Sequence, residues 1–238
     1  MAIFTFTQIS GGVGATTLIA NLTNLWANPS RIMVELGITG GDLARIMNFN
    51  ALASTSPSTL VENGKDFGQA NSQPIGLSEL PTDKWELPVL PAPVMPDFPN
   101  PGEKMWWQKR VDLMLSAHMD VIVDMGRIAP EHLGIHNRVL NASTAIAVVV
   151  RDTSEAVAAA SRLAVYQDRL AIVVVNKLYS LPSEISEATG TPCVNVFLWD
   201  GAITANTWRN VLVAKAKAKS VKQYLQATSE LAVYLGGK

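Results

Sequence analysis

The sequence is poor in several residues that define common classes of protein. Cys193 is the only cysteine among 238 residues, which excludes an internal disulfide and a cysteine-ligated metal site. Such a composition fits a reducing compartment. Lysine plus arginine number 19 against 20 aspartate plus glutamate, and the resulting net charge of -1 gives no global electrostatic reason to bind nucleic acid or an anionic membrane.

Long apolar runs and a secretory leader are also absent. The N-terminus, MAIFTFTQIS, has no basic region before an apolar core. The most hydrophobic runs, AIAVVV and LAIVVV, are far shorter than the roughly 20 residues of a membrane span. We therefore expect no transmembrane segment and a cytoplasmic location. Hydrophobic residues make up 48% of the chain, enough for one large core, and we predict a single domain over residues 1–238.

The sequence contains a repeated pattern of strand and helix. Continuous apolar runs rich in β-branched residues, typical of parallel strands buried on both faces, occur at 2–9, 31–36, 120–125, 145–150 and 170–176. Apolar residues recur at helical spacing between them, in TTLIANLTNLWA, MWWQKRVDLMLSAH and SEAVAAASRLAVYQD. This alternation predicts a doubly wound α/β fold, a mostly parallel sheet flanked by helices.

Prolines are concentrated in residues 74–101. Because proline has no backbone N–H to donate and restricts the backbone conformation of the residue before it, a regular helix is excluded there. We predict a short strand at 87–90 followed by a loop. A linker between two domains is the alternative interpretation.

A glycine-rich loop, SGGVGATT at 10–17, follows the first predicted strand and precedes the first predicted helix. In this context Gly11, Gly12 and Gly14 allow backbone amides to point inward as an anion-binding nest at the helix N-terminus. Thr16 can offer its hydroxyl to a bound magnesium ion. Ala15, however, stands where a phosphate-binding loop usually has the lysine that contacts the β and γ phosphates.

Two other interpretations of this loop are open. It can be a strand-to-helix turn that binds no ligand. It can also be a fragment of the dinucleotide fingerprint of an oxidoreductase, with Glu35 as the ribose-binding acid. Thr17 replaces the third glycine of that fingerprint and would crowd the contact between helix and strand.

Four motifs together resemble the ParA/MinD superfamily of P-loop ATPases. SGGVGATTLIANL is similar to the deviant Walker A loop, K-G-G-x-G-K-T-[ST], and RIMVELGITGGDLA is similar to the second strand and switch I. DVIVDMG resembles Walker B and switch II, and IVVVNKL resembles the strand whose terminal asparagine, here Asn176, often meets adenine. The motifs GGVGATT, GDLA and LPVLPAP are most similar to the TadZ/CpaE branch, which places pilus machinery.

The resemblance also implies what the site has lost. The two loop lysines of the family fall on Ser10 and Ala15, and the switch I aspartate that orients water falls on Gly37. Asp124 stays at the Walker B position, where it can hold magnesium through water. The implied nucleotide-binding residues are Gly11, Gly12, Val13, Gly14, Ala15, Thr16, Thr17 and Asn176, with Thr16 and Asp124 for magnesium.

We therefore expect a protein that binds ATP with magnesium weakly, or binds no cofactor, and does not hydrolyse ATP efficiently. As such it would be a positioning or assembly scaffold for a pilus or secretion machine, a homo-oligomer with a protein partner in a larger assembly. The main alternative is an active partition-type ATPase that dimerises on ATP and binds DNA. A dinucleotide-binding oxidoreductase is the third interpretation.

Residues outside these motifs leave further choices. Arg151 and Asp152 follow the strand at 145–150, at the end of the sheet where α/β proteins bind ligands, and either border the site or serve only the loop. In the C-terminal segment a lysine cluster is either solvated or contacts DNA, and we predict a helix that packs on the sheet. The clustered lysines are Lys215, Lys217, Lys219 and Lys222, and the predicted packing residues are Val221, Tyr224, Leu225, Leu231, Val233, Tyr234 and Leu235.

Overall fold

The computed structural model of the protein describes residues 2–36, 89–90, 108, 111–112, 114–128, 133–175, 181–195 and 219–237. Its strands are β1 (Ile3–Gln8), β2 (Arg31–Glu35), β3 (Val89–Leu90), β4 (Asp120–Arg127), β5 (Ala145–Val150), β6 (Leu170–Val174) and β7 (Cys193–Asn195). Its helices are α1 (Ala15–Asn24), α2 (Leu133–Ala142), α3 (Thr153–Arg162), a 3₁₀ segment (Ala164–Arg169), α4 (Pro182–Thr189) and α5 (Lys219–Gly236). Residues 111–112 and 114–115 are also helical.

The described strands form one parallel sheet in the order β3-β2-β4-β1-β5-β6-β7. Side chains alternate between its two faces, as the pleat requires. Phe4 and Phe6 of β1 face α1 and α5, whereas Ile3 belongs to the apolar layer on the opposite face with α2, α3 and α4. Helices therefore cover both faces, and the predicted doubly wound α/β fold is confirmed.

The order of the central strands determines where a ligand can bind. The connection through α1 leads from β1 to β2, on one side of β1, while the connection through α2 leads from β4 across to β5, on the other side. The chain thus changes direction next to β1. Open α/β sheets bind ligands at such a point, beyond the carboxyl ends of the strands. The glycine loop leaves β1 at this place.

The strand order does not fit the dinucleotide interpretation. In the dinucleotide-binding fold β2 lies directly beside β1, in the order 3-2-1-4-5-6. Here β4 lies between β1 and β2.

Two helical predictions need correction. The pattern at 154–168 predicted one helix, but α3 ends at Arg162 and a 3₁₀ segment with a kink at Tyr166 follows. In α5, Val233 is 69% and Tyr234 36% exposed, whereas Leu231 and Leu235 are buried. Successive residues of a helix are rotated by about 100°, so Val233 lies on the face opposite to Leu231 and Leu235.

The structure also bears on the predicted strand at 87–90 and on membrane association. The strand is confirmed in part as β3, which pairs with β2 through Met33 and Val34. The rest of the proline-rich segment lies outside the described residues. No helix in the described part of the chain is long and apolar enough to cross a membrane.

Candidate functional site

The loop between β1 and α1 has the backbone conformation that its glycines predict. Gly12 and Gly14 have φ angles of 70° and 83°, a left-handed conformation that other residues rarely adopt. Gly14 is the residue before α1, and within the described chain neither a side-chain cap nor an acidic residue of the first turn is present there. The first amides of α1 are therefore available to an anion, which the helix dipole also favours.

The two residues predicted to hold magnesium are brought together. Thr16, in the first turn of α1, donates a hydrogen bond from Oγ1 to Oδ2 of Asp124, at 2.6 Å. The amide of Gly126 donates to Oδ1 of the same carboxylate, at 3.0 Å, and Asp124 is 3% exposed. A carboxylate and a hydroxyl are the oxygen donors that magnesium prefers. This pair therefore fits a magnesium ion bound together with a nucleotide.

A second acid lies beside this pair. Glu35 at the end of β2 is in register with Asp124 of β4, and both carboxylates are buried. No group of three or more histidine, cysteine, aspartate or glutamate side chains in the described ranges is arranged to hold a metal. Phosphate and water oxygens would have to complete the coordination of magnesium here.

The two positions that correspond to the family's lysines make other contacts. Ala15 is 3% exposed and belongs to the apolar layer that includes Val13 and Leu18. Ser10 donates a hydrogen bond from Oγ to Oε1 of Glu155, at 2.5 Å. Neither position can supply a positive charge to the loop.

An arginine from a neighbouring strand does contact the loop. The guanidinium of Arg151, just beyond β5, donates from Nη2 to the carbonyl oxygen of Gly11. The backbone amide of Arg151 donates to Oε2 of Glu155, at 2.7 Å, and Glu155 also holds Ser10. Of the two interpretations left open by the sequence, bordering the site is therefore correct for Arg151.

Asp152 has a structural role next to it. Its Oδ1 accepts from the backbone amide of Glu155 at 2.9 Å and from the hydroxyl of Ser154 at 2.7 Å, so it caps α3. The hydrogen bond from the Glu155 amide is the main cause that lowers the pKa of the Asp152 carboxyl. The sequence D-T-S-E contains the signal for this cap, an aspartate followed three residues later by a glutamate.

The helix that begins in the loop is also joined to the C-terminal helix. Nδ2 of Asn21 donates to the carbonyl of Thr17 at 2.8 Å and to the hydroxyl of Tyr224 at 3.3 Å. Burial raises the pKa of Tyr224, so its hydroxyl stays protonated at neutral pH. These contacts fix α1, and with it Thr16, against α5.

Several predicted site residues lie outside the described residues. These are Asn176, the predicted adenine contact, and Gly37, the switch I position, together with Lys215 and Lys217 of the C-terminal cluster. Of the remaining predicted nucleotide-binding residues, Gly11 and Gly12 are exposed, Gly14, Thr16 and Thr17 are half-buried, and Val13 and Ala15 are buried. Val13 and Ala15 could therefore contact a nucleotide mainly through their backbone amides.

Comparison with known proteins identifies the fold. No protein-family model matches the chain, and no curated protein has a significant sequence match. Among solved structures, the septum site-determining protein MinD of Pyrococcus horikoshii OT3, complexed with Mg-ADP, is similar with a TM-score of 0.64 and 15% identity, over 98% of this chain and 95% of that chain.

A plasmid partition protein of Borrelia burgdorferi B31, bound to AMPPNP, is similar with a TM-score of 0.63 and 10% identity, over 100% of this chain and 99% of that chain. A second structure of a plasmid partition protein from Borrelia burgdorferi has a TM-score of 0.59 and 11% identity, over the same shares of the two chains. At this level of identity the likeness shows the fold alone, and the chain therefore has the α/β fold of the P-loop NTPases.

Proposed function

We propose that the protein binds ATP with magnesium in the loop between β1 and α1, does not hydrolyse it efficiently, and serves as a positioning or assembly scaffold. The observation that carries this proposal is the hydrogen bond between Thr16 and Asp124, at 2.6 Å. The pair that would hold magnesium is assembled, although Ser10 and Ala15 replace the lysines of the resembled family. Binding and turnover are therefore separable in this chain.

Binding requires little more than the groups already in place. The amides of the loop and of the first turn of α1 can donate hydrogen bonds to phosphate oxygens, as at other helix N-termini. Thr16 and Asp124 would hold the metal that neutralises the phosphates. The two nucleotide-bound structures with the same fold, one with Mg-ADP and one with AMPPNP, support nucleotide as the ligand class.

Hydrolysis requires stabilisation of the transition state in addition to nucleotide binding. The transition state of phosphoryl transfer carries charge that a loop lysine helps to stabilise, and loss of one such contact typically costs about 10² to 10³ in rate. Here Ala15 is turned into the apolar layer, Ser10 is bound to Glu155, and Gly37 has no side chain to orient water. Turnover at or near background follows from these three positions.

We infer the scaffold role from the names of the proteins that have a similar fold and from the absence of the side chains that would support hydrolysis. The similar structures are a septum site-determining protein and plasmid partition proteins, whose names describe placement of cellular components. The resemblance to the TadZ/CpaE branch suggests a pilus or secretion machine as the assembly. We accordingly propose a cytoplasmic, single-domain homo-oligomer with a protein partner.

A partition-type ATPase is the competing function. The two plasmid partition proteins of similar fold favour it. Such an enzyme would dimerise around ATP and bind DNA, and it would need the lysines that Ser10 and Ala15 replace. Turnover and DNA binding therefore distinguish the two functions.

One pair of measurements tests the proposal. Titration calorimetry should detect magnesium-dependent ATP binding to the unsubstituted protein, while a phosphate-release assay on the same preparation should stay at background. Asp124→Ala should weaken the binding without changing the release rate. Magnesium-dependent turnover that Asp124→Ala abolishes would establish the competing enzyme, and absence of ATP binding would overturn the nucleotide ligand.

A further inference from the structure

We propose that Arg151 supplies the positive charge of the glycine loop, binding the phosphate oxygens of a nucleotide held there. This inference rests on the proposed function. It assigns to a residue of the neighbouring strand the electrostatic role that no residue of the loop itself can fill. The argument depends on the strand register, on the contacts of the guanidinium and on the conformation of Gly12.

The register of the sheet brings Arg151 to the loop. β5 lies directly beside β1, with Val149 opposite Gln8, the last residue of β1. Arg151 comes two residues after Val149, so it leaves the sheet beside the residues that begin the loop. From there its guanidinium reaches the carbonyl of Gly11. The same guanidinium nitrogen lies 3.9 Å from the position that a Cβ on Gly12 would occupy.

The backbone of Arg151 is fixed relative to the loop. Glu155 accepts from the Arg151 amide through Oε2, at 2.7 Å, and from the Ser10 hydroxyl through Oε1, at 2.5 Å. Asp152 in turn fixes Glu155 through its capping hydrogen bond. The Glu155 carboxylate therefore links Ser10, at the start of the loop, to Arg151, which carries the guanidinium.

Gly12 lies beside the guanidinium. Its φ of 70° favours glycine, and a Cβ at this position would be 3.9 Å from Nη2 of Arg151, an ordinary van der Waals contact. The arginine therefore lies against bare backbone, beside the amides that form the predicted anion nest. A phosphate in that nest would lie within reach of both the amides and the guanidinium.

A guanidinium suits this task chemically. It is charged at all ordinary pH values, carries five N–H donors and binds phosphate in a bidentate manner. The contact with Gly11 uses Nη2, and the planar group can hold the loop and a phosphate at the same time. Because Arg151 is exposed, solvent and salt weaken its charge at long range, so its contribution should come from direct hydrogen bonds.

The test compares variants at position 151 in a displacement assay. A fluorescent ATP analogue bound with magnesium is displaced by ATP, by inorganic triphosphate or by adenosine. Arg151→Gln keeps an N–H donor for Gly11 but removes the charge, whereas Arg151→Lys keeps the charge. Arg162→Ala, at an exposed arginine in the last turn of α3, is the matched control, and Ser10→Ala loosens the loop without changing its charge.

We expect Arg151→Gln to weaken ATP and triphosphate by about tenfold or more, the usual effect of losing a charge-assisted hydrogen bond. Adenosine should bind equally to all variants, Arg151→Lys should lose less affinity than Arg151→Gln, and Arg162→Ala should match the unsubstituted protein. The inference is overturned if Arg151→Gln binds triphosphate normally, or if Ser10→Ala loses as much affinity as Arg151→Gln. Failure of the unsubstituted protein to bind the analogue overturns the proposed function, and this inference with it.

Discussion

Thr16 and Asp124 are 108 residues apart in the sequence, yet their side chains are joined by a hydrogen bond of 2.6 Å. The parallel pairing of β1 with β4 produces this proximity, because it aligns Phe6 with Asp124 at the level where α1 begins. The bond does not depend on any lysine. The pair that we propose for magnesium is therefore formed in this chain without a lysine at position 10 or 15.

This relationship predicts the effect of Asp124→Asn. The amide is nearly the same size and its oxygen can still accept from Thr16, but its NH2 group then faces the Gly126 amide, and the negative charge is gone. We expect magnesium to raise the ATP affinity of the unsubstituted protein. In the variant this increase should be about 10- to 100-fold smaller, as for other residues that hold a metal through water. Calorimetry with and without magnesium measures both values.

Asp112→Asn is the control for that experiment. Asp112 is an exposed acid that pairs with Arg138 at 2.6 Å, away from the loop. Its substitution should leave the magnesium effect unchanged. A magnesium effect in Asp124→Asn equal to that of the unsubstituted protein would show that the metal is held elsewhere.

Restoring a lysine at position 15 gives the second prediction. Because Ala15 is packed in the apolar layer, Ala15→Lys should lower the free energy of unfolding by about 1–3 kcal/mol in the absence of ligand, the usual cost of overpacking. Magnesium-ATP should recover part of this loss as the ammonium pairs with phosphate. Turnover should remain near background because Gly37 still cannot orient water. Thermal melts and phosphate release measure these effects, and turnover restored by this change alone would contradict the role of Gly37.

The sequence predicted the strands better than the packing of the last helix. β5 has the same bounds as the apolar run at 145–150, because a strand buried on both faces consists of apolar residues throughout. In α5, by contrast, apolar residues occur on more than one face, and composition alone does not show that Leu231 faces inward while Val233 faces solvent. The packing of α5 against α1 and against one face of the sheet determines which residues are buried.

The glycine loop and the pairing of Thr16 with Asp124 could be predicted from sequence motifs, whereas the contacts of Ser10 with Glu155 and of Arg151 with Gly11 could not. The loop conformation follows from Gly12 and Gly14, which are separated by a single residue in the chain. The contact between Arg151 and Gly11 requires β5 to lie beside β1, and that neighbourhood results from a crossover that periodicity does not encode. The hydrogen bond from Ser10 to Glu155 also requires β5 to lie beside β1, so the sequence alone does not predict it.

Asp152 gives a prediction about pH. Its pKa is lowered from the ordinary value of 3.8, mainly by the hydrogen bond from the Glu155 amide. The part of its stabilising contribution that depends on charge is therefore present above pH 3.8 and is lost as pH falls through the lower native pKa. Asp152→Ala should therefore destabilise the protein at pH 7 by about 0.5–2 kcal/mol, the usual effect of removing an N-cap. The difference should shrink in acid. Urea unfolding at a series of pH values measures it.

Asp152→Asn is the matched variant, since asparagine also caps helices and does not titrate. It should lose only a few tenths of a kcal/mol at pH 7, roughly. An equal loss in both variants would mean that the charge, and not the cap, stabilises α3.

The basic C-terminal segment gives a prediction about DNA. Lys222 is exposed on α5, and Lys215, Lys217 and Lys219 precede it in the sequence. The overall charge of -1 provides little attraction for DNA, so we expect only weak non-specific retardation of duplex DNA in a gel-shift assay. Alanine at positions 215, 217 and 219 should change little. Tight binding that falls steeply with salt and with these substitutions would favour the partition-type function.

The last prediction is that the protein self-associates without requiring ATP. In the ParA/MinD family two nucleotide loops face each other in a dimer, and the lysine that crosses to the partner reduces the repulsion between two apposed nucleotides. Here Ser10 replaces that lysine and is bound to Glu155 of its own chain, so a dimer around two nucleotides loses this shielding. A nucleotide-free dimer would suffer no such repulsion, and we therefore expect it to be the more stable assembly.

Light scattering over a concentration series, with and without magnesium-ATP, measures the mass of the protein in solution and so distinguishes a monomer from a dimer. We expect a dimer without nucleotide that ATP does not strengthen. Ser10→Lys should shift the balance towards an ATP-dependent dimer, since it restores the crossing charge and removes the bond to Glu155. Ser161→Lys adds the same charge at an exposed position near the end of α3 and should have little effect. A monomer at all concentrations would leave an adaptor that acts alone, and a dimer that forms only with ATP would show that this loop works without its lysines.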